Sequence, residues 1–128
     1  MRILGIDFGL KRIGVAFTEG FLPSPLTVIE VRSRKQALLD IKELCERLGI
    51  EKIIIGESGG TVDVKARAFG EELSKQTQIP TEFIDETLTS KEAIKKLIEG
   101  KTTKKKRREM EDAVAAAIIL NTYLENQP

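Results

Sequence analysis

Apolar residues recur along this chain with two periods, one typical of strands and the other typical of helices. Residues 2–8 form an apolar run that predicts a buried strand. Residues 12–18 alternate like its hairpin partner, with Gly9 and Gly14 punctuating the connection. Residues 26–32 predict a third strand. The chain therefore opens with three short strands that turn back on one another.

Helices and strands then alternate. The Pro23-Ser24-Pro25 turn precedes the third strand, and Ser33 with Gln36 forms a capping-box pattern that opens a helix running to about Leu48. The later elements are predicted as follows: a buried strand at 51–56, a helix at 63–76, a strand at 81–85, a helix opened by Thr89 and Glu92 that ends near Gly100, and a last helix at about 109–125.

This order predicts an α/β fold with a mixed five-stranded sheet, in which three antiparallel strands are followed by two parallel ones and helices flank the sheet. The 128 residues are the size of one domain, so we expect a single domain over 1–128. Periodicity alone also permits other α/β sandwiches.

Composition removes several kinds of chemistry. Histidine is absent, which excludes imidazole metal sites and the usual serine or cysteine triads. The lone Cys45 falls in an apolar helical series, so we expect it in the core of a protein from a reducing cytoplasm. The apolar run at 113–120 is too short to span a bilayer, and no signal-peptide pattern is present. Any catalysis must use carboxylates, lysines or hydroxyls.

The first candidate for such chemistry is Asp7, which ends the first apolar run just before a basic turn. An aspartate beside glycine often caps a turn, so Asp7 alone does not decide between turn chemistry and function. The pattern Asp-x-Gly-x-Lys-Arg-x-Gly-Val-Ala from Asp7 to Ala16, however, resembles the opening of the YqgF family, small bacterial relatives of the RuvC Holliday-junction resolvase. The resemblance implies a ribonuclease H-like fold and a metal-dependent nuclease.

A second acid is expected where the strand at 81–85 closes with Asp85 and Glu86. Parallel strands place their carboxyl ends at one edge of a sheet, and these two residues point to opposite faces, so at most one of them faces a metal. The segment resembles the family's Asp-Glu-Arg-Leu-Thr block, which implies Glu86 as the ligand and Asp85 as the reserve. Thr87 stands where that block has arginine.

The third acid is Asp112, which shares a helix face with Ala115, Ala116 and Ile119. It either complements the helix dipole or serves the site. The family closes with a similar Asp-x-x-Ala-Ala helix, which favours the site.

Glu57 is a possible fourth acid. The family usually has Gly-Leu-Pro and a following asparagine at this point, whereas this chain continues from Gly56 with Glu57-Ser58-Gly59-Gly60. Glu57 is interpreted as a loop glutamate, with altered substrate contacts and assistance to a metal as the alternatives.

Basic charge is concentrated in one segment. Residues 101–108 hold six of the 21 basic residues and no acid, which leaves 15 basic against 20 acidic residues elsewhere. A solvated charge run is one interpretation, and local binding of a polyanion is the other. Beside a carboxylate site the second applies, and the cations expected to bind phosphates are Lys11, Arg12, Lys104, Lys105, Lys106, Arg107 and Arg108.

Together with these residues, the resemblance implies a cytoplasmic endonuclease in which Asp7, Glu86 and Asp112 hold Mg²⁺ (or Mn²⁺), whose preferred ligands are carboxylate oxygens. The resemblance implies processing of the 5′ end of the 16S ribosomal RNA precursor. Two alternatives stay open, namely a Holliday-junction resolvase acting on branched DNA and a non-catalytic nucleic-acid-binding domain. We expect no membrane partner and either a monomer or a homodimer.

Overall fold

In the part of the chain that the structure describes, five strands form one mixed sheet, and three helices pack on its two faces. The computed structural model describes residues 1–57, 61–85 and 110–127. Within these ranges the elements are β1 (Ile3–Asp7), β2 (Arg12–Thr18), β3 (Ser24–Glu30), α1 (Arg34–Leu48), β4 (Lys52–Glu57), α2 (Thr61–Thr77), β5 (Thr81–Asp85) and α3 (Glu111–Glu125). The helix predicted from Thr89 to Gly100 and the basic segment at 101–108 lie outside the described residues.

The strand order is β3-β2-β1-β4-β5. β1 pairs antiparallel with β2, and β2 pairs antiparallel with β3, whereas β4 lies parallel to both β1 and β5. The predicted mixed sheet, with three antiparallel strands followed by two parallel ones, is therefore confirmed. The carboxyl ends of β1, β4 and β5 meet at one edge of the sheet.

Alternate residues of the central strands enter two separate cores. Leu4 and Ile6 of β1 pack with α1 and α2, whereas Ile3 packs with α3. Ile54 of β4 joins the α3 side in the same way. Because helices cover both faces of β1 and β4, these strands are apolar at successive positions.

β3 begins two residues earlier than predicted. Ser24 and Pro25, expected to form a turn, instead pair with Phe17 and Ala16 of β2. Among the described strands, β3 lies at the edge of the sheet and pairs only with β2, so a proline is tolerated there.

Local signals set the bounds of α1. The Ser33 side chain accepts a hydrogen bond from Gln36 N, and the Gln36 side chain accepts one from Ser33 N, which completes the predicted capping box. Gly49 ends the helix with φ of 63°, a left-handed conformation that favours glycine. Cys45 is buried on the inner face of α1, as predicted.

Across the described ranges, no helix combines the length and the apolar character needed to cross a membrane.

Candidate active site

Asp7 and Asp112 are brought together by the contact between β2 and α3. Asp7, the last residue of β1, lies opposite Gly14 of β2. Directly opposed residues of antiparallel strands point to the same face and lie about 4.5–5.5 Å apart. Gly5, two residues before Asp7, faces α3, since a Cβ there would lie 2.9 Å from the Ala116 carbonyl oxygen. Asp7 therefore belongs to the α3 face of the sheet.

The first turn of α3 lies directly against Gly14. A Cβ added to Gly14 would overlap the carbonyl group of Asp112 and lie 2.8 Å from Ala113 N. Only a residue without a side chain permits this approach of helix to strand. The backbone of Asp112 thus touches the residue that is paired with Asp7, although the two aspartates come from opposite ends of the chain.

Gly14 has a different role from the one expected from the sequence. It was predicted to punctuate the hairpin connection, but it is the third residue of β2 and lies inside the strand. A glycine within a strand pattern often marks the close approach of another backbone, and that signal identifies the contact with α3 in retrospect.

The donors at this edge suit a hard divalent cation. Asp7 and Asp112 provide carboxylate oxygens from separate elements, and Mg²⁺ and Mn²⁺ prefer such ligands. The Asp112 side chain is 32% exposed, so its oxygens are reachable from solvent. Within the described ranges no group of three acidic, histidine or cysteine ligands converges on one point. Glu86, the third expected ligand, lies outside those ranges.

Arg12 forms an ion pair with Asp112. Its Nε donates a hydrogen bond to Asp112 Oδ2 at 3.1 Å, and 66% of the Arg12 side chain is exposed. Arg12 is predicted to bind phosphates, and the structure places its guanidinium beside a predicted metal ligand. Sequence reasoning did not foresee this ion pair, because it joins residues at opposite ends of the chain.

Lys11 precedes Arg12 in the exposed turn that follows Asp7. Its carbonyl oxygen accepts a hydrogen bond from Val31 N at 2.9 Å, which ties the turn to the segment after β3. The other predicted phosphate-binding cations, Lys104, Lys105, Lys106, Arg107 and Arg108, lie outside the described residues.

Asp85 belongs to the other face of the sheet. It pairs in register with Glu57, two residues after Phe83 pairs with Ile55, and Phe83 and Ile55 both pack in the core formed with α1 and α2. Strand alternation places Asp85 on that same face, away from Asp7. The reserve ligand Asp85 is therefore on the opposite face of the sheet from Asp7.

Glu57 is the last residue of β4, so its interpretation as a loop glutamate is wrong. Its Oε2 accepts a hydrogen bond from Arg67 Nη2 at 3.1 Å, and its Oε1 lies 2.5 Å from Arg67 Nε in an ion-pair contact without hydrogen-bond geometry. The guanidinium carbon of Arg67 also lies over the Phe83 ring, 4.8 Å from the ring centre. These contacts hold the carboxylate of Glu57 toward α2, which was not apparent from the sequence.

Comparison with known proteins identifies the family. Residues 1–126 match the family model RuvX, described as a Holliday junction resolvase. The chain is 37% identical to a protein of Syntrophomonas wolfei over 98% of its own length and 94% of the relative's. It is also 37% identical to a protein of Moorella thermoacetica, over 98% and 95%. Both relatives carry the name "Putative pre-16S rRNA nuclease".

Solved structures share the fold at low sequence identity. RuvC of T. thermophilus in complex with a Holliday junction substrate superposes with a TM-score of 0.71 at 16% identity, covering 98% of this chain and 96% of that one. The fowlpox virus Holliday junction resolvase gives 0.66 at 11% identity, covering 99% and 100%. The predicted RuvC-like, ribonuclease H-like architecture is confirmed. The extent of the family match and the identity to these relatives show that the chain belongs to the RuvX family, which is the YqgF family that its Asp7 motif resembles.

Proposed function

We propose that this chain is a single-domain, divalent-metal-dependent endonuclease of the cytoplasm. Asp7, Glu86 and Asp112 would hold Mg²⁺ (or Mn²⁺), and the product ends would be a 5′ phosphate and a 3′ hydroxyl. One observation carries the proposal: the β2–α3 contact at Gly14 gathers two carboxylates from opposite ends of the chain onto one sheet face. An aspartate needed only to complement a helix dipole does not require such a contact.

The position of Asp85 supports Glu86 as the third ligand. Asp85 lies on the face of the sheet away from Asp7. The family's Asp-Glu-Arg-Leu-Thr block implies the acid that follows Asp85 as the ligand and Asp85 only as its reserve. We therefore retain Glu86 and set Asp85 aside.

In the reaction, the carboxylates of Asp7 and Asp112 hold negative charge at a fixed position on the sheet edge. A divalent ion bound there supplies Lewis acidity and a lowered pKa for coordinated water. Lys11, in the adjoining turn, would attract the phosphate backbone, as would the cations of 104–108, which precede α3 in the sequence. Contacts of this kind position a nucleic acid without reading its bases.

For the substrate we favour the 5′ end of the 16S ribosomal RNA precursor. Relatives at 37% identity over nearly the whole chain are named for that RNA. The description of the family model supports the second candidate, a Holliday junction. Symmetric cutting of a junction calls for a two-fold dimer, so a monomer in solution would favour the RNA.

The decisive experiment compares D7N and D112N with E111Q. Asp112 and Glu111 both lie in the first turn of α3, so each substitution there removes one negative charge from the same helix end. We expect D7N and D112N to abolish Mg²⁺-dependent cleavage of a precursor RNA fragment and of a four-way DNA junction, tested in parallel, while binding persists. We expect E111Q to cleave.

Cleavage by D7N or D112N at the wild-type rate would contradict the proposed site. Wild-type protein that binds both substrates but cuts neither, with Mg²⁺ or with Mn²⁺, would favour the non-catalytic binding domain. Cleavage of one substrate alone by the wild type would assign the substrate class.

A further inference from the structure

Arg12 and Asp112 form an ion pair at the edge of the proposed site. Arg12 is the first residue of β2, two positions before Gly14, so strand alternation places it on the α3 face. Its Nε lies 3.1 Å from Asp112 Oδ2. The two side chains can reach each other because the close contact at Gly14 holds the first turn of α3 against β2.

This pair has a consequence for metal binding. A divalent cation held by Asp112 needs electron pairs from the same carboxylate that accepts the Arg12 hydrogen bond. A guanidinium stays protonated throughout the physiological range, so it cannot lose its charge to make way for a second cation. A metal bound at Asp112 must therefore displace Arg12, or its affinity is lowered by repulsion from the Arg12 charge.

We propose that Arg12 is an internal counter-cation of Asp112 that competes with the divalent metal and is released toward a substrate phosphate when the metal binds. The inference rests on the proposed metal site and adds a regulating residue to it. Arg12 neutralises Asp112 before loading and, once displaced, presents its guanidinium at the edge where a phosphate would lie. Metal affinity and substrate affinity are thus linked through one side chain.

Lys11 provides a matched control. It is adjacent to Arg12, exposed and of the same charge, but the ion pair with Asp112 belongs to Arg12. R12Q and K11Q each remove one positive charge from the same turn. The long-range electrostatic effect on metal binding is therefore similar in the two variants, and their difference isolates the direct contact.

The test is the dissociation constant of Mn²⁺, measured by isothermal titration and by the electron paramagnetic resonance signal of free Mn²⁺ on the full chain without substrate. We expect R12Q to bind Mn²⁺ about 1.4- to 5-fold more tightly than K11Q, the range that corresponds to the coupling in exposed ion pairs. We also expect metal-loaded R12Q to bind nucleic acid more weakly than wild type. D112N should lose most Mn²⁺ binding.

Equal or weaker Mn²⁺ binding in R12Q than in K11Q would overturn the role of Arg12 while leaving the metal site intact. Wild-type protein with no Mn²⁺ binding would instead overturn the proposed metal site, and the counter-cation with it. Because 66% of the Arg12 side chain is exposed, R12Q should fold. A circular dichroism melt verifies that before titration.

Discussion

Gly14→Ala is the sharpest perturbation that the structure offers, because it adds one methyl group at the contact that gathers the proposed site. The new Cβ would overlap the Asp112 carbonyl and approach Ala113 N to 2.8 Å, where real Cβ atoms keep at least 3.0 Å. The obstacles are backbone atoms of α3, which cannot rotate aside as the end of a side chain can. The first turn of the helix must move away from β2.

The size of the effect follows from this displacement. Clearing the Asp112 carbonyl requires a shift on the order of 1 Å. A misplacement of that size at a reacting group costs about 10²-fold in rate. Overpacking of a close contact also destabilises a fold by about 1–3 kcal/mol. We therefore expect G14A to fold with a lower free energy of unfolding. Its kcat should fall much further than the small increase in the unfolded fraction explains.

The assay separates stability from catalysis by means of a second glycine. A Cβ at Gly5 would also meet α3, but one turn beyond Asp112, against the buried Leu120 side chain and 2.9 Å from the Ala116 carbonyl oxygen. Gly5→Ala should weaken the packing of α3 without moving its first turn as far. Urea unfolding gives the free energy of unfolding of both variants, and kcat and KM are measured under conditions where each is folded.

The expected pattern is a large loss of kcat in G14A, with nucleic-acid binding retained, and a much smaller loss in G5A. Mn²⁺ affinity should fall in G14A as well, since the two aspartates separate. A G14A protein with wild-type kcat and Mn²⁺ affinity would refute the reasoning, because the position of Asp112 would then not matter for the chemistry.

Three further predictions concern the scaffold. Ser33→Ala removes the cap of α1 and should lower the free energy of unfolding by about 1 kcal/mol in urea titration. Tyr123→Phe removes the hydroxyl that accepts a hydrogen bond from Lys52 Nζ at 2.7 Å. Because Glu82 still pairs with that ammonium at 2.9 Å, we expect the free energy of unfolding to fall by only about 1 kcal/mol. An unchanged free energy of unfolding would contradict this prediction. Burial, with a smaller effect of Glu46, raises the pKa of the Cys45 thiol to about 12, so labelling by a thiol reagent at pH 8 should require unfolding.

The thiol also carries a pH dependence with a definite sign. The native thiol holds its proton up to about pH 12, whereas an unperturbed thiol loses it near pH 9.0. Between these values the unfolded chain binds fewer protons than the native one, so the contribution of Cys45 to stability declines as pH rises above 9. Urea midpoints of wild type and Cys45→Ala, compared at pH 8 and pH 10, should converge as the pH rises.

Local patterns were sufficient to predict most of the secondary structure. The bounds of β2 and β5 were predicted to the residue, and the capping box of α1 was identified from Ser33 and Gln36 alone. Each of these signals is carried by residues a few positions apart, so the physics that produces it is contained in the sequence window. β3 was misplaced because tolerance of Pro25 depends on the strand being at an edge of the sheet.

In the candidate site, too, the sequence shows the individual acids, whereas only the fold shows which residues lie next to them. Asp7 and Asp112 are visible in the sequence as acids next to apolar segments, and the family motif marks both. Their proximity depends on Gly14, a residue whose role is defined by the helix that lies against it. The same holds for Glu57, whose carboxylate is held by Arg67 of α2.

The sequence by itself determined which elements form in the described part of the chain, where Asp7 lies at the end of β1, and which chemistry is available to a chain without histidine. Only the tertiary structure decided that the first turn of α3 lies on β2, that Arg12 is paired with Asp112, and that Asp85 lies on the other face. The physical reason is that periodicity records which side of an element is apolar but not which distant element covers it. Contacts between the two ends of the chain exist only once the sheet has brought them together.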